Sequence, residues 1–217
     1  MIGEAGAVLA LGRVESRVGD WDEALVHFDR CFVLYESTKS KLGQGSTWKC
    51  KGDIFLKKAM FEEAKKCYEQ ALPLFTAMSD KLGEAQTLRC LGDLQLHLGL
   101  LGDAEKYLKE SLRIYVDLDS ERGKANTLRS LAAVEIKKGN RQGAYVVYEE
   151  AKVLFARILL QLGQNDWKHL DQVEYELQSL DSTSTSSFET SAWTLDEAMQ
   201  QPYGSAQTLD ILSEVER

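Results

Sequence analysis

The stretch Gly83-Glu84-Ala85-Gln86-Thr87-Leu88-Arg89-Cys90-Leu91-Gly92-Asp93 has a near copy on either side of it. Forty residues earlier stands Gly43-Gln44-Gly45-Ser46-Thr47-Trp48-Lys49-Cys50-Lys51-Gly52-Asp53. Forty later stands Gly123-Lys124-Ala125-Asn126-Thr127-Leu128-Arg129-Ser130-Leu131-Ala132-Ala133, and fainter copies begin at Gly3 and Gly163. Self-similarity at one unvarying interval is the mark of a repeat protein.

Other positions recur at the same interval. Gly12, Gly52, Gly92 and Ala132 form one small-residue column; Gly19, Ala59, Gly99 and Gly139 form another. Ala24, Ala64, Ala104 and Ala144 are each followed four residues later by Phe28, Tyr68, Leu108 and Tyr148. Cys31, Ala71, Ser111 and Ala151 complete the set. Small residues let two helix backbones approach, and the large ones between them fill the gap.

The chain has 217 residues, 44% hydrophobic, with only two prolines, so an all-α reading precedes any motif. No apolar run approaches a membrane span. The opening Met1-Ile2-Gly3-Glu4 lacks a basic region, so no signal peptide and a cytoplasmic setting are expected. Cys31, Cys50, Cys67 and Cys90 show no C-x-x-C spacing and read as buried thiols; His27, His97 and His169 form no ligand cluster. No metal or cofactor is expected.

Net charge is -8, unevenly placed. Residues 181–217 hold seven acids against one base, a balance of -6; the preceding residues hold 27 acids against 25 bases, a balance of -2. A near-neutral array with an acidic tail lacks the basic footprint of nucleic-acid binding.

Within each repeat the pattern predicts two helices. The first repeat gives helices from about 4 to 18 and from Asp20 onward, with Gly19 as a C′ residue and Asp20–Glu23 as a capping box. A connection over Ser37–Leu42 leads to helices near 44–58, 61–77, 84–98 and 101–117. Asn140 is the expected cap of a longer final helix running through Ile158-Leu159-Leu160. The repeats are thus 3–42, 43–82, 83–122 and 123–162, with a capping helix over 163–180 that aligns Trp167, Leu170, Val173, Leu177 and Leu180. The polar run from Asp181 to Ser187 reads as a linker to a flexible acidic tail, 181–217. Ala5, Val8, Leu9 and Leu11 are expected to leave apolar surface at the amino end, as in the carboxyl-terminal part of a longer array.

Trp48, Gly52, Phe55, Ala64, Tyr68 and Ala71 resemble the tetratricopeptide repeat motif at the family's spacing. The proline that often closes it is replaced by Glu36, Thr76, Val116 and Ala156, and the period is about six residues longer than usual. HEAT repeats have a similar period without this Gly and Ala set. The long form is similar to the arrays of G-protein-binding polarity adaptors and of nucleotide-switch (NACHT/NB-ARC) receptors. The resemblance implies a right-handed α-solenoid of antiparallel helix pairs, a TPR-like superhelix whose first helices line a concave groove. It implies a binding scaffold and not an enzyme.

Counted by that motif, the inward positions hold Lys49, Arg89 and Arg129 in one column and Lys57, His97 and Lys137 in another, with Gln86 and Asn126 beside them. Two basic columns on an acidic chain suit an acidic or amphipathic peptide, from another protein or from the chain's own tail. Asp53 lies four residues from both Lys49 and Lys57, and Asp93 likewise from Arg89 and His97, so internal pairing is the competing reading. Ala133 breaks that pattern in the fourth repeat. The alternative function is the sensor or oligomerisation arm of a larger nucleotide-switch protein. Gly43-Gln44-Gly45 is not a dinucleotide fingerprint, since Trp48 stands at the third glycine and no strand precedes it.

Overall fold

The computed structural model describes residues 2–162 and Tyr175. Among the described residues the chain is all-α, with eight helices: α1 (Ile2–Val18), α2 (Trp21–Ser37), α3 (Lys41–Lys57), α4 (Phe61–Ala77), α5 (Lys81–His97), α6 (Leu101–Asp117), α7 (Glu121–Lys138) and α8 (Arg141–Leu162). Packing separates two compact bodies, one ending at Leu100 and one starting at Leu101. In the amino-terminal body α1 packs on α2 and α3 on α4, and these pairs stack through α2 on α3 and α4 on α5. In the carboxyl-terminal body α7 lies against both α6 and α8. Each body is a solenoid-type stack of hairpin-linked helices. The expected capping helix 163–180 and the tail 181–217 lie outside the described residues, Tyr175 excepted.

The helices are joined by turns of two or three residues that end the first helix in a left-handed residue. Gly19, Gly99 and Gly139 take this conformation as expected, and Ala59 takes it without glycine's freedom. A second left-handed column, Lys39, Ser79 and Asp119, carries no shared side chain and leaves no signature in sequence. The hydrogen bonds are those of a Schellman turn: the Lys39 N–H donates to the Glu36 carbonyl and the Ser40 N–H to the Tyr35 carbonyl.

The first helix of each later repeat starts at Lys41, Lys81 or Glu121, two residues before the glycine that opens each copy and, for the helices expected from 44 and 84, three residues early. The expected connection over Ser37–Leu42 shrinks to Thr38–Ser40. Ser40, Asp80 and Ser120 cap these helices, each accepting from the N–H of the glycine three residues on, at 3.3, 3.2 and 3.4 Å. Asn140 caps α8 as expected, accepting from the Gly143 N–H at 3.0 Å. The Asp20–Glu23 capping box does not form. Asp20 precedes α2 but its side chain makes no cap hydrogen bond, and its ψ is 67° against 85–91° at the three residues that cap first helices.

The glycines that mark the period answer to packing. A Cβ on Gly43 would land in the ring of Tyr35, one on Gly83 in the ring of Phe75, and one on Gly123 in the ring of Tyr115. A second close approach lies inside each early hairpin: a Cβ on Gly12 would stand 2.7 Å from Phe28, and one on Gly52 2.6 Å from Tyr68. The remaining columns are core. Ala24, Ala64, Ala104 and Ala144 are fully buried, as are Cys31, Ala71, Ser111 and Ala151, and Phe28, Tyr68, Leu108 and Tyr148 are buried beside them. Thr47, Thr87 and Thr127 are also buried, each hydroxyl donating to the glycine carbonyl four residues back. Ala5 and Leu9, expected to be open at the amino end, lie instead in the core with Phe28 and Cys31; Leu11 is exposed.

Glycine-to-alanine changes therefore separate packing from propensity. In a helix the change ordinarily stabilises by about 1 kcal/mol. Gly102→Ala, with nothing within 4 Å of the added carbon, should follow that rule. Gly83→Ala should reverse the sign and destabilise by about 1–3 kcal/mol through overpacking against Phe75. Denaturant unfolding of the two variants checks this.

Candidate peptide-binding faces

In the amino-terminal body Lys49 and Arg89 occupy equivalent places on α3 and α5, and each is engaged by an acid one turn on. The Lys49 Nζ stands 2.9 Å from Asp53 Oδ2, and the Arg89 Nη1 2.7 Å from Asp93 Oδ2. Asp53 is the centre of a wider network. Its Oδ1 accepts from the Tyr68 hydroxyl at 3.0 Å and from the Cys90 thiol at 3.4 Å. The Arg13 Nε donates to Cys50 Sγ at 3.5 Å, bringing α1 to the same region. Competing reach from Lys57 and His97 does not materialise. The Lys57 ammonium donates to the Ser16 carbonyl of α1 at 3.3 Å, and the His97 ring stacks on Phe61 with centroids 5.9 Å apart. Both residues are exposed, and Gln86 is half-buried on α5.

Only 17% of the Lys49 side chain is exposed. Desolvation works to lower its pKa, but the Asp53 carboxylate, with Cys90 and Cys50 behind it, outweighs that and holds the ammonium above the ordinary lysine range. The thiols move the other way from a nucleophile's needs. Burial, reinforced by Asp53, pushes Cys90 up to about 12, and burial pushes Cys67 up to about 11. Burial, together with Cys90 and Asp53, likewise raises the Tyr68 hydroxyl above the tyrosine range. All four cysteines are free and buried, as expected.

The carboxyl-terminal body presents a different face. On α7 Arg122, Asn126, Arg129, Ala133 and Lys137 recur at three- and four-residue spacing, so they share one side of the helix. Arg129 is half-buried, and Ala133 stands where the earlier repeats have Asp53 and Asp93. Among the described residues neither Arg129 nor Arg122 has an ion-pair partner. The acids of α7 are committed elsewhere: Glu121 to Arg157 at 3.0 Å and Glu135 to Lys138 at 2.9 Å. Asn126 donates its amide to the Arg122 carbonyl at 2.8 Å, and Lys137 is exposed. Arg122 was not among the expected residues, although it lies one turn before Asn126 on the same face. Among the described residues no group of three His, Cys, Asp or Glu side chains could hold a metal, and no helix is long and apolar enough to cross a membrane.

Residues 4–77, spanning the first two helix pairs, match the family model for the tetratricopeptide repeat. Within those residues the chain carries tetratricopeptide repeats. Solved structures extend that likeness along most of it. A kinesin light chain of Podosopora anserina with nearly identical TPR-like repeats aligns at 13% identity over 86% of this chain and 99% of its own, with a TM-score of 0.59. A single-substitution variant of that protein aligns at 13% identity over 83% and 96%, with a TM-score of 0.59. BtubC (BKLC) from P. vanneervenii aligns at 15% identity over 89% and 96%, with a TM-score of 0.51. At these identities the likeness is one of fold. No curated protein matches the sequence.

Two outcomes test the network. Asp53→Ala leaves Lys49, Tyr68 and Cys90 without their shared acceptor and should destabilise by about 1–3 kcal/mol in denaturant unfolding. The raised thiols also set a pH window. Cys90 and Cys67 start from 9.0 in the open chain, so their contribution is complete below pH 9 and is lost as pH rises toward about 12 and about 11. The melting temperature should hold steady through neutral pH and fall from about pH 9 upward, less steeply in a Cys67→Ala, Cys90→Ala variant.

Proposed function

We propose that this chain is a non-enzymatic interaction scaffold that holds an acidic or amphipathic peptide segment, with α7 supplying the principal contacts through Arg122, Asn126, Arg129 and Lys137. Tetratricopeptide repeats bind protein partners, and the chemistry of these faces suits that role better than catalysis. A catalytic lysine or cysteine needs its pKa depressed toward neutrality. Here Lys49, Cys67 and Cys90 are all displaced away from it.

The observation that carries the reading is Arg129. Its counterparts Lys49 and Arg89 direct their charge to Asp53 and Asp93, whereas Ala133 leaves the half-buried guanidinium without an acid among the described residues. A guanidinium binds carboxylate bidentately, and hydrogen bonds to a charged group contribute about 1.5–3 kcal/mol each. In the amino-terminal body Lys57, Gln86 and His97 serve as outward contacts, while Lys49 and Arg89 chiefly hold the fold.

The test is a screen of the full chain against arrayed acidic peptides, repeated with Arg129→Glu and with residues 181–217 removed. Binders should weaken about tenfold or more in Arg129→Glu and with rising salt, as charge-assisted contacts do. Tighter binding after removal of 181–217 would identify the chain's own acidic segment as a competitor. Binding indifferent to Arg129→Glu and to salt would overturn the acidic-peptide reading.

A further inference from the structure

The turns that follow α3 and α5 leave apolar side chains in water. Met60 is 38% exposed, Leu98 39% and Leu100 50%. The two turns stand side by side, because the His97 ring at the end of α5 stacks on the Phe61 ring at the start of α4, with centroids 5.9 Å apart. Neighbouring exposed apolar groups with a polar rim mark a place where another molecule packs.

Two of these side chains stand where the fold elsewhere places a hydrogen-bond donor. Lys58, at the end of the preceding first helix, reaches Asp22 at 2.6 Å. One repeat on, Glu62 holds the place of Asp22 and Leu98 that of Lys58. Glu62 is exposed and has no ion pair among the described residues. The lysines next to the turn are engaged elsewhere, Lys58 by Asp22 and Lys57 by the Ser16 carbonyl. Leu100 repeats the pattern. Its counterpart Asn140 donates its side-chain amide to Glu135 at 2.6 Å. Gln95 holds the place of Glu135, and its backbone carbonyl accepts the Leu100 N–H at 2.9 Å. The Gln95 side chain is 5% exposed, and its carbonyl oxygen is buried with no donor. An orphaned buried carbonyl is a cost to the fold. Each leucine thus forfeits a contact that the chain makes at another repeat, and each still stands partly in water. That arrangement serves a partner better than it serves the core.

We propose that this edge docks a basic amphipathic segment of another protein. Apolar side chains of the segment cover Met60, Leu98 and Leu100, and a lysine or arginine beside them pairs with Glu62, its stem lying along the leucines. Charge selects the occupant. Residues 181–217 of this chain, with a balance of -6, would set acids against Glu62. The inference is independent of the acidic-peptide reading, which concerns α7.

The probe is a stapled amphipathic helix of leucine and lysine, titrated into the full chain while amide NMR shifts are followed. Saturable shifts at residues 57–63 and 95–100 are expected, weakening as salt rises. Leu98→Lys and Leu100→Asn each supply the donor that the repeat carries elsewhere. The melting temperature of these variants should hold or rise while binding weakens about tenfold or more. Glu62→Gln should also weaken binding, whereas Leu82→Lys, at a leucine 47% exposed near the other end of α5, should not. No shifts at these residues would overturn the proposal, as would equal binding of a helix with glutamate in place of lysine. A melting temperature lowered by Leu98→Lys and Leu100→Asn would overturn it too, by returning both leucines to the core. So would shifts of the same residues on removal of 181–217 or on dilution of the chain alone, by placing its own segment or a second copy on the edge.

Discussion

An aromatic ring pressed on a glycine backbone joins one helix pair to the next. Tyr35, Phe75 and Tyr115 each do two things at once. The ring lies against Gly43, Gly83 or Gly123, and the carbonyl accepts the N–H of Ser40, Asp80 or Ser120. The same Ser or Asp then caps the following helix by accepting from that glycine's N–H. Ring, cap and glycine thus close a circuit over nine residues, Tyr35 to Gly43 in the first copy. An insertion within it would break the turn, the cap and the packing together, which accounts for a period that never varies.

That circuit leaves the outward side of each first helix free to change, and charge is where the repeats diverge. In the amino-terminal body Lys49 of α3 and Arg89 of α5 are met by acids on the same helices, and Asp53 also collects Tyr68 and Cys90. The result is a polar cluster in which burial raises the Cys90 thiol and the Tyr68 hydroxyl. In α7 a single replacement, alanine for aspartate, removes the internal partner and leaves Arg129 without an ion pair among the described residues.

Much of this was legible in the sequence because the repeat measures it several times over. Recurrence of Ala64, Tyr68 and Ala71 marks a core without any knowledge of its geometry, and left-handed turns announce themselves where glycine fills them. Spacing offered the pairing of Lys49 with Asp53 and of Arg89 with Asp93 only as a competing reading, with Lys57 and His97 at equal separation. The helix starts were not legible. A glycine at the head of each copy resembles a boundary, yet it sits inside the first turn because a ring needs the space. The left-handed column at Lys39, Ser79 and Asp119 was invisible, since the backbone there is held by hydrogen bonds and imposes no common side chain.

The sequence by itself determined the all-α repeat, its period, its core columns and which acid could reach which base, because each depends on contacts within one helix or one hairpin. Only the tertiary structure decided between partners that spacing left equal. Asp53 takes Lys49 and not Lys57, because Lys57 is held by the Ser16 carbonyl of a different helix. Ala5 and Leu9 are buried while Leu11 is not, because α2 and α3 cover one side of α1 and leave the other. Those outcomes are set by which helices lie alongside, and a one-dimensional pattern carries no record of that.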